Sequence, residues 1–411
     1  MTTMRQASRS MWVIAVLVVI GWPAGERALA ERVVAWGMNQ DGQCNVPEGR
    51  DYVAISARFK HNLALRADGS IVGWGQNNHG QSDAPAGKDF TMVAAGLVHS
   101  LALKADGSLM AWGRNDYGQC DVPQGNDFVA IAAGDSHNLA LKSDGSIIAW
   151  GDNDYGKRNA PDGNDFVAIA AGGSFSVALR ADGSLAVWGC LCDCIGPLRL
   201  PCLSIIPAGY SYIAIAAGGN SLLGHGLALR IDGSIAAWGS NDQKQCDVPA
   251  GSGFTAIAAG AGHSLALESD GSLVAWGRND YGQCDVPAGN NFLAVSAGSG
   301  HSIALLTEPK VGHPTADAGK DLSARANEEV TLDGSKSSDA DGQIVLYTWK
   351  RLPDDVIIYS GTEPRCRTQA LGRAEEVFEL TVTDNDMLTA SDTVIIFNQI
   401  LKDLEDRLAG M

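Results

Sequence analysis

The chain has 411 residues and a formal net charge of −17, from Lys+Arg 30 against Asp+Glu 47. That length allows two or three domains with a sizeable core, and the acidic balance, with no Lys/Arg run to offset it, argues against a nucleic-acid surface. Gly at 49 residues with only 7% aromatics fits many short strands joined by tight turns.

Residues 1–30 read as an export signal. Arg5 and Arg9 precede the apolar run Met11 to Ile20, and Ala28-Leu-Ala30 offers a small-residue cleavage site before Glu31. The run is too short to span a bilayer comfortably, and no later segment qualifies as a membrane helix. Cleavage would remove Arg5, Arg9, Arg27 and Glu26, a net +2, and leave −19. The expected mature chain is exported, secreted, periplasmic or cell-surface associated, with no integral membrane segment.

From residue 31 to 306 two phrases recur in step. Tryptophans fall at Trp36, Trp74, Trp112, Trp150, Trp188, Trp238 and Trp276, 38 residues apart except for 50 between Trp188 and Trp238. A second phrase, Phe128-Val-Ala-Ile-Ala-Ala-Gly134 followed by His137-Asn-Leu-Ala-Leu141, has copies beginning at Tyr52, Phe90, Phe128, Phe166, Tyr212, Phe254 and Phe292. Self-similarity at this period signals a solenoid or propeller whose units bury their apolar faces only against neighbours. Within one unit, Phe128 to Ala133 and His137 to Lys142 read as strands around a Gly-Asp-Ser turn. Asp144-Gly145 then predicts a two-residue hairpin into a third strand, Ser146 to Trp150. Three strands of about five residues fill the stride. The first unit has only its Trp strand and the last only its first two strands. Pairing them would complete a seventh blade and remove both open edges. The expected fold is all-β: a seven-bladed β-propeller closed by the N-terminal strand.

The 12 extra residues lie in two places, eight between Trp188 and Tyr212 and four in the turn Gly219 to Gly224. The first holds Cys190, Cys192, Cys194 and Cys202, which lack the paired spacing of a zinc site and are candidates for disulfides in an exported chain. Cys44, Cys120, Cys246 and Cys284 share one repeat position, Cys366 stands alone, and nine is an odd count.

After a linker at 307–313, residues 314–398 read as a second, immunoglobulin-like β-sandwich. Its expected strands are Val330 to Gly334, Ile344 to Trp349, Phe378 to Thr383 and Ser391 to Phe397, with Trp349 in the core. Asp339, Asp341 and Asp384 are weak candidates for a calcium site there; no other cofactor is expected. The tail 399–411 carries Leu401, Leu404 and Leu408 at helical spacing.

Two resemblances rest on these phrases. The series Ala-Gly-x-x-His-Ser-Leu-Ala-Leu, then Asp-Gly-Ser-Leu-x-Ala-Trp-Gly-x-Asn-x-x-Gly-Gln, resembles the repeat of the regulator of chromosome condensation family, which implies a seven-bladed propeller. The 38-residue stride and the Val-Pro-Ala-Gly phrase resemble more closely the bacterial propeller-type β-lactamase inhibitor proteins, whose blades carry three strands. Residues 314–397 resemble a PKD-type domain through Ala316 to Asp321, Leu332 to Asp339, Tyr347-Thr-Trp349 and Leu380 to Asp384. Fold resemblance does not carry function across.

The repeated His61, His99, His137, His225, His263 and His301, with Phe175 in the remaining copy, suit structural hydrogen bonding rather than a metal. Asn39, Asn77, Asn115, Asn153, Asn241 and Asn279 suit turns. No Ser-His-Asp set, phosphate loop or paired-carboxylate motif emerges, so no catalytic residue is assigned. The blades differ from one another on one rim, at Phe59, His79, Leu97, Tyr117, Tyr155, Phe175, Leu222 and Tyr281. Aromatics on varied loops suit a recognition surface. The expected function is therefore an exported, non-enzymatic binding protein that recognises an extracellular protein or glycan at the cell surface. A propeller-based polysaccharide hydrolase or lyase, and an inhibitor of an extracellular enzyme, are the competing readings.

Overall fold

The computed structural model describes residues 30–190, 207, 209, 211–220, 223–308, 313–339, 343–385 and 388–400. Residues 1–29 of the export signal, Cys192, Cys194, Cys202, Leu222, Asp341, residues 309–312 of the linker and the tail beyond Ile400 lie outside these residues, while Ala30, the last residue of that signal, opens the first strand. The chain divides into two compact units, Met1–Glu308 and Pro309–Met411.

The first unit contains seven three-stranded antiparallel sheets. Blade 1 is Tyr52–Arg58, His61–Arg66 and Ile71–Gly75; blade 2 is Phe90–Ala95, His99–Lys104 and Leu109–Gly113. Blade 3 is Phe128–Ala133, His137–Lys142 and Ile147–Gly151; blade 4 is Phe166–Ala171, Phe175–Arg180 and Leu185–Gly189. Blade 5 is Tyr212–Gly219, Gly224–Arg230 and Ile235–Gly239; blade 6 is Phe254–Ala259, His263–Glu268 and Leu273–Gly277. Blade 7 joins the two ends of the unit. Ala30–Gly37 pairs antiparallel with His301–Glu308, which also pairs with Phe292–Ala297, in the register Val33 to Leu305 and Gly37 to His301. Closure by the first strand leaves no blade incomplete.

The middle strand of each blade is buried on both faces, because every sheet lies between two others. Leu63, Leu101, Leu139, Val177, Leu227, Leu265 and Ile303 occupy one repeated position, and each is 0% exposed, as is the alanine that follows it. A large residue on one face and a small one on the other lets the next sheet approach. The core is accordingly a set of inter-blade clusters: Leu101, Leu103 and Leu109 of blade 2 pack on Phe128, Ile131 and Trp150 of blade 3. Burying each such leucine is worth roughly 1.5–3 kcal/mol, and Leu139→Ala would cost about 2–5 kcal/mol. The seam between blades 7 and 1 is built alike, from Val33, Ile303 and Leu305 against Tyr52, Ile55 and Trp74.

The Asp-Gly-Ser hairpin is one residue longer than the two-residue turn expected. Arg66 N donates to Ser70 O and Gly69 N to Arg66 O, so Ala67, Asp68 and Gly69 form the loop. Asp68 Oδ1 accepts from Ser70 N and Oγ, while Gly69 takes φ +82°. A Cβ on Gly69 would stand 2.2 Å from Lys88 O, so both backbone conformation and space demand glycine. Every inner strand also carries a β-bulge one residue after its leading aromatic, as between Phe128 and Ala130, which the repeat pattern did not reveal.

Polar side chains stitch adjacent blades. The first histidine of a middle strand meets a Ser or Asn of the next blade: His61 Nε2 lies 3.0 Å from Ser100 Oγ, His99 2.8 Å from Asn138 Oδ1, and His301 2.7 Å from Asn62 Oδ1 across the closing seam. That Ser or Asn donates to a loop carbonyl which also accepts the blade's tryptophan. Thus Gln119 O takes Asn138 Nδ2 at 2.7 Å and Trp150 Nε1 at 3.1 Å. The donor chain fixes the imidazole proton on Nε2. Nδ1 of all six rings is buried without a partner among the described residues.

The second unit has a five-stranded sheet and a two-stranded sheet. The expected strands appear as Glu329–Asp333, which stops one residue before Gly334, and within Ile344–Leu352, Glu375–Asp384 and Thr389–Asn398. Leu322–Ala324, Val356–Gly361 and Arg365–Gln369 complete the sandwich. Trp349 is fully buried among Leu332, Phe378, Leu380 and Val394.

Candidate functional site

The rim that varies in sequence is formed by two kinds of loop. One follows six of the seven tryptophans, all but Trp188, and its fold is fixed by an asparagine: Asn115 Nδ2 donates to Asp121 Oδ1 and Asn115 Oδ1 accepts from Cys120 N. Gln119 Oε1 accepts from Tyr117 N and anchors the loop inward. The side chain of residue 117 is thereby thrust outward. Tyr117 and Tyr155 are each 52% exposed and Tyr281 is 42% exposed, all at the same loop position. His79, exposed, holds that position after blade 1. The cysteine of the loop is half-buried, with Cys284 Sγ 3.2 Å from Arg278 O, and burial pushes the thiols of Cys44, Cys120, Cys246 and Cys284 up to about 11.

The other loop is the Gly-x-x-His turn. Its glycine is required where the histidine folds back over it: a Cβ on Gly298 would meet His301 Cε1 at 2.1 Å. Blade 1 breaks the rule with Arg58. There the strand runs on to pair Arg58 with His61, and the turn shrinks to Phe59 and Lys60, with Phe59 at φ +47°. A bulky residue in the left-handed region carries strain of about 1–3 kcal/mol.

Arg58 crosses the channel mouth. Its Nη2 lies 2.9 Å and its Nε 3.2 Å from Asp135 Oδ1 of blade 3, and Nη1 donates to Ala171 O of blade 4 at 2.9 Å. Both side chains are nearly buried, at 12% and 6% exposure. A buried ion pair seldom adds net stability, so neither it nor the strained Phe59 is accounted for by stability alone. Below Arg58 the channel is narrow, about 70 Å³, and lined mainly by alanines. Its two serines are engaged by backbone: Ser296 Oγ accepts from Ala57 N and Ser56 Oγ from Ala95 N.

Above Arg58 opens a pocket of about 380 Å³. Phe59, Leu97, Met38 and Tyr281 supply its apolar walls. Arg278 stacks on Tyr281, with its guanidinium carbon 5.6 Å from the ring centroid, and its Nε contacts Asp280 Oδ2 at 2.6 Å. On one side the lip is a backbone belt between successive blades, made of Gly219 N to Gly260 O, Ala261 N to Gly298 O and Ser299 N to Phe59 O.

The structure thus gathers Phe59, Leu97 and Tyr281 around one pocket, and leaves His79, Tyr117 and Tyr155 on the rim outside its lining. Phe175 is corrected: it is 0% exposed, because it holds the histidine position at the start of a middle strand, with its ring over Gly172. Leu222 lies outside the described residues; its neighbour Leu223 is 36% exposed. Arg58 and Asp135 were missed. Arg58 was visible as the one Gly-x-x-His copy without its glycine, but its partner 77 residues away was not. Of the disulfide candidates only Cys190 is described, and it is not among the free thiols. Asp384 Oδ1 accepts from Leu388 N in a turn, and Asp341 is not described. Among the described residues no group of three His, Cys, Asp or Glu could hold a metal ion. No helix among them is long and apolar enough to cross a membrane.

The family profile described as "Regulator of chromosome condensation (RCC1) repeat" matches residues 52–81, 90–119, 128–157 and 254–283, and a PKD domain profile matches 318–397. Among solved structures, Prp20p from Saccharomyces cerevisiae aligns with TM-score 0.56 and 18% identity over 68% of this chain and 92% of its own. Yeast RCC1 (Prp20) bound to Kap60 aligns with TM-score 0.57 and 17% identity over 75% and 95%. Human WBSCR16 aligns with TM-score 0.52 and 19% identity over 67% and 99%. No curated protein matches the chain. The chain therefore carries RCC1-type repeats in a β-propeller and a PKD domain; at these identities the likeness to the solved structures is one of fold.

Proposed function

We propose that the chain is an exported, non-enzymatic binding protein that recognises an extracellular protein or glycan at the cell surface through the varied rim of its propeller. The observation that carries this reading is the placement of Tyr117, Tyr155 and Tyr281. The same loop position leaves each of them exposed at 42–52%: Gln119 and Gln283 hold Tyr117 N and Tyr281 N, while Tyr155 stands at φ +63° in a loop where Lys157 replaces the glutamine. An amphipathic aromatic offered by a rigid loop contributes contact area at small entropic cost, which is the chemistry of binding hot spots. The export reading rests on Arg5, Arg9, the apolar run and Ala28-Leu-Ala30. The PKD unit acts as spacer or attachment module, and disulfides among Cys190, Cys192, Cys194 and Cys202 pin the inserted loop.

The reading is tested by capture on the immobilised chain from extracellular proteins and cell-wall polysaccharide of the source organism. The triple variant Tyr117→Ala, Tyr155→Ala, Tyr281→Ala serves as control. A discrete ligand retained by the natural chain and lost by the variant supports it. Retention unchanged in the variant refutes the rim assignment, and cleavage of the polysaccharide refutes the non-enzymatic reading.

A further inference from the structure

Arg58 replaces the glycine of its turn, Phe59 adopts a left-handed backbone to allow it, and Asp135 lies opposite to receive the guanidinium. These three departures from the repeat meet at one point, the floor of the 380 Å³ pocket. Strain and a buried charge pair retained together at a concave site are the marks of a site shaped for a ligand.

The polar side chains of the lining indicate which ligand. Arg58 and Asp135 bond to each other, and Asn220 Oδ1 accepts from Leu223 N. A sugar needs several polar side chains converging on its hydroxyls. Beside Arg58, Asp135 and Asn220, the polar side chains of the pocket's lining are Ser299, the Tyr281 hydroxyl and Arg278, and its walls are the apolar Met38, Phe59 and Leu97 with the Tyr281 ring. Its volume lies at the low end of ligand-sized pockets, about 300–1,000 Å³. At the lip, Arg278 stacks on Tyr281 and, among the described residues, makes one side-chain hydrogen bond, from Nε to Asp280 in a pair open to solvent, which leaves its terminal nitrogens for a carboxylate.

We propose that this pocket is a socket for a protein partner, which inserts one large apolar side chain from a protruding loop and sets an acidic neighbour of that residue on Arg278. The proposal rests on the rim-recognition reading and names its partner class. The buried Arg58–Asp135 pair is the positioning element that closes the channel and gives the socket its floor.

The test uses the full chain and a displayed library of disulfide-closed peptide loops, with the enriched loops then titrated singly. Enriched loops are expected to share one large apolar residue beside Asp or Glu. Their binding should weaken at least tenfold with Tyr281→Ala and with Leu97→Glu, and by less than twofold with Tyr117→Ala. Arg58→Gly with Asp135→Ser restores residues that other blades carry at these positions. It should weaken the same loops at least tenfold while the unfolding midpoint, read by tryptophan fluorescence, stays within a few degrees. The proposal is overturned if no loop is enriched, if enriched loops are indifferent to the socket variants, or if a panel of oligosaccharides binds in a Tyr281-dependent way instead. If a natural ligand is lost on Tyr117→Ala with Tyr155→Ala but ignores Tyr281→Ala and Leu97→Glu, the rim reading stands and the socket falls.

Discussion

The six buried histidines make the propeller acid-labile in a calculable way. Each ring donates through Nε2 to the next blade and has a buried, partnerless Nδ1, so protonation would create a buried cationic N–H with no acceptor. Burial accordingly holds His61, His225 and His301 down to about 3 and His99 and His263 to about 4, with His137 also far below its usual range. In the unfolded chain each titrates near 6.5. The folded state thus binds fewer protons below that value: the histidine contribution is intact above about pH 6.5 and is lost steadily as pH falls toward 4. At pH 5 the loss is about 2 kcal/mol per histidine, or about 12 kcal/mol for six, as large as the whole stability of a typical domain. Between pH 6 and 5 the slope approaches about 8 kcal/mol per pH unit, corresponding to uptake of about six protons on unfolding.

The assay is urea unfolding of the full chain followed by tryptophan fluorescence, at half-unit steps from pH 7.5 to 5. The expected result is a midpoint stable above pH 7 and collapsing below pH 6. In the variant His61→Phe, which borrows the residue of blade 4, uptake should fall by about one proton, since Ser100 keeps its bond to Gln81 O. A midpoint flat from pH 7 to 5.5 would refute the buried-neutral assignment. An unchanged slope in the variant would show that proton uptake arises elsewhere.

With their thiols raised from 9.0 to about 11, Cys44, Cys120, Cys246 and Cys284 should react with iodoacetamide at pH 8 about a hundredfold more slowly than an unperturbed thiol of pKa 9.0, and at ordinary rates once the chain is unfolded in urea; rapid alkylation of the folded chain would contradict it. Gly298→Ala forces a Cβ to 2.1 Å from the ring of His301, and should lower stability by more than about 2 kcal/mol in urea titration, well beyond the cost of alanine at an unconstrained glycine.

Much of this fold is legible because the chain states it seven times. A residue that must be large at Leu63 must be large at Leu101 and Leu139 for the same reason, so the period separates the core from chance. The missing third strand after Leu306 and the surplus one at Val33 predict their own pairing. Contacts that occur once carry no such redundancy. Asp135 reads as one more variable turn residue until Arg58 is seen to reach it from two blades away. Variation between blades does not by itself put Phe175 on the rim, because its position opens a buried strand. In the second unit, Arg365–Gln369 escaped notice because four of its five side chains are polar or charged.

The seam between blades 4 and 5 shows that repeat positions act in sets. There Phe175 replaces the histidine, Gly226 replaces the Ser or Asn that would receive it, and among the described residues Trp238 Nε1 alone of the seven propeller indoles has no acceptor. A Cβ on Gly226 would stand 2.3 Å from Trp238 Cζ2, so the indole occupies the space that a serine would need. With no side-chain oxygen at 226, an imidazole at 175 would bury an N–H without a partner. Phenylalanine removes that donor and keeps the ring over Gly172. Phe175→His moves the chain toward its own repeat consensus, a change that commonly stabilises. Here it should destabilise the propeller by about 1–3 kcal/mol at pH 8, where histidine is neutral, since the buried donor is left unsatisfied. Urea unfolding at that pH decides it. A variant as stable as the natural chain would mean that the seam supplies an acceptor, and that the substitutions at 175 and 226 are independent.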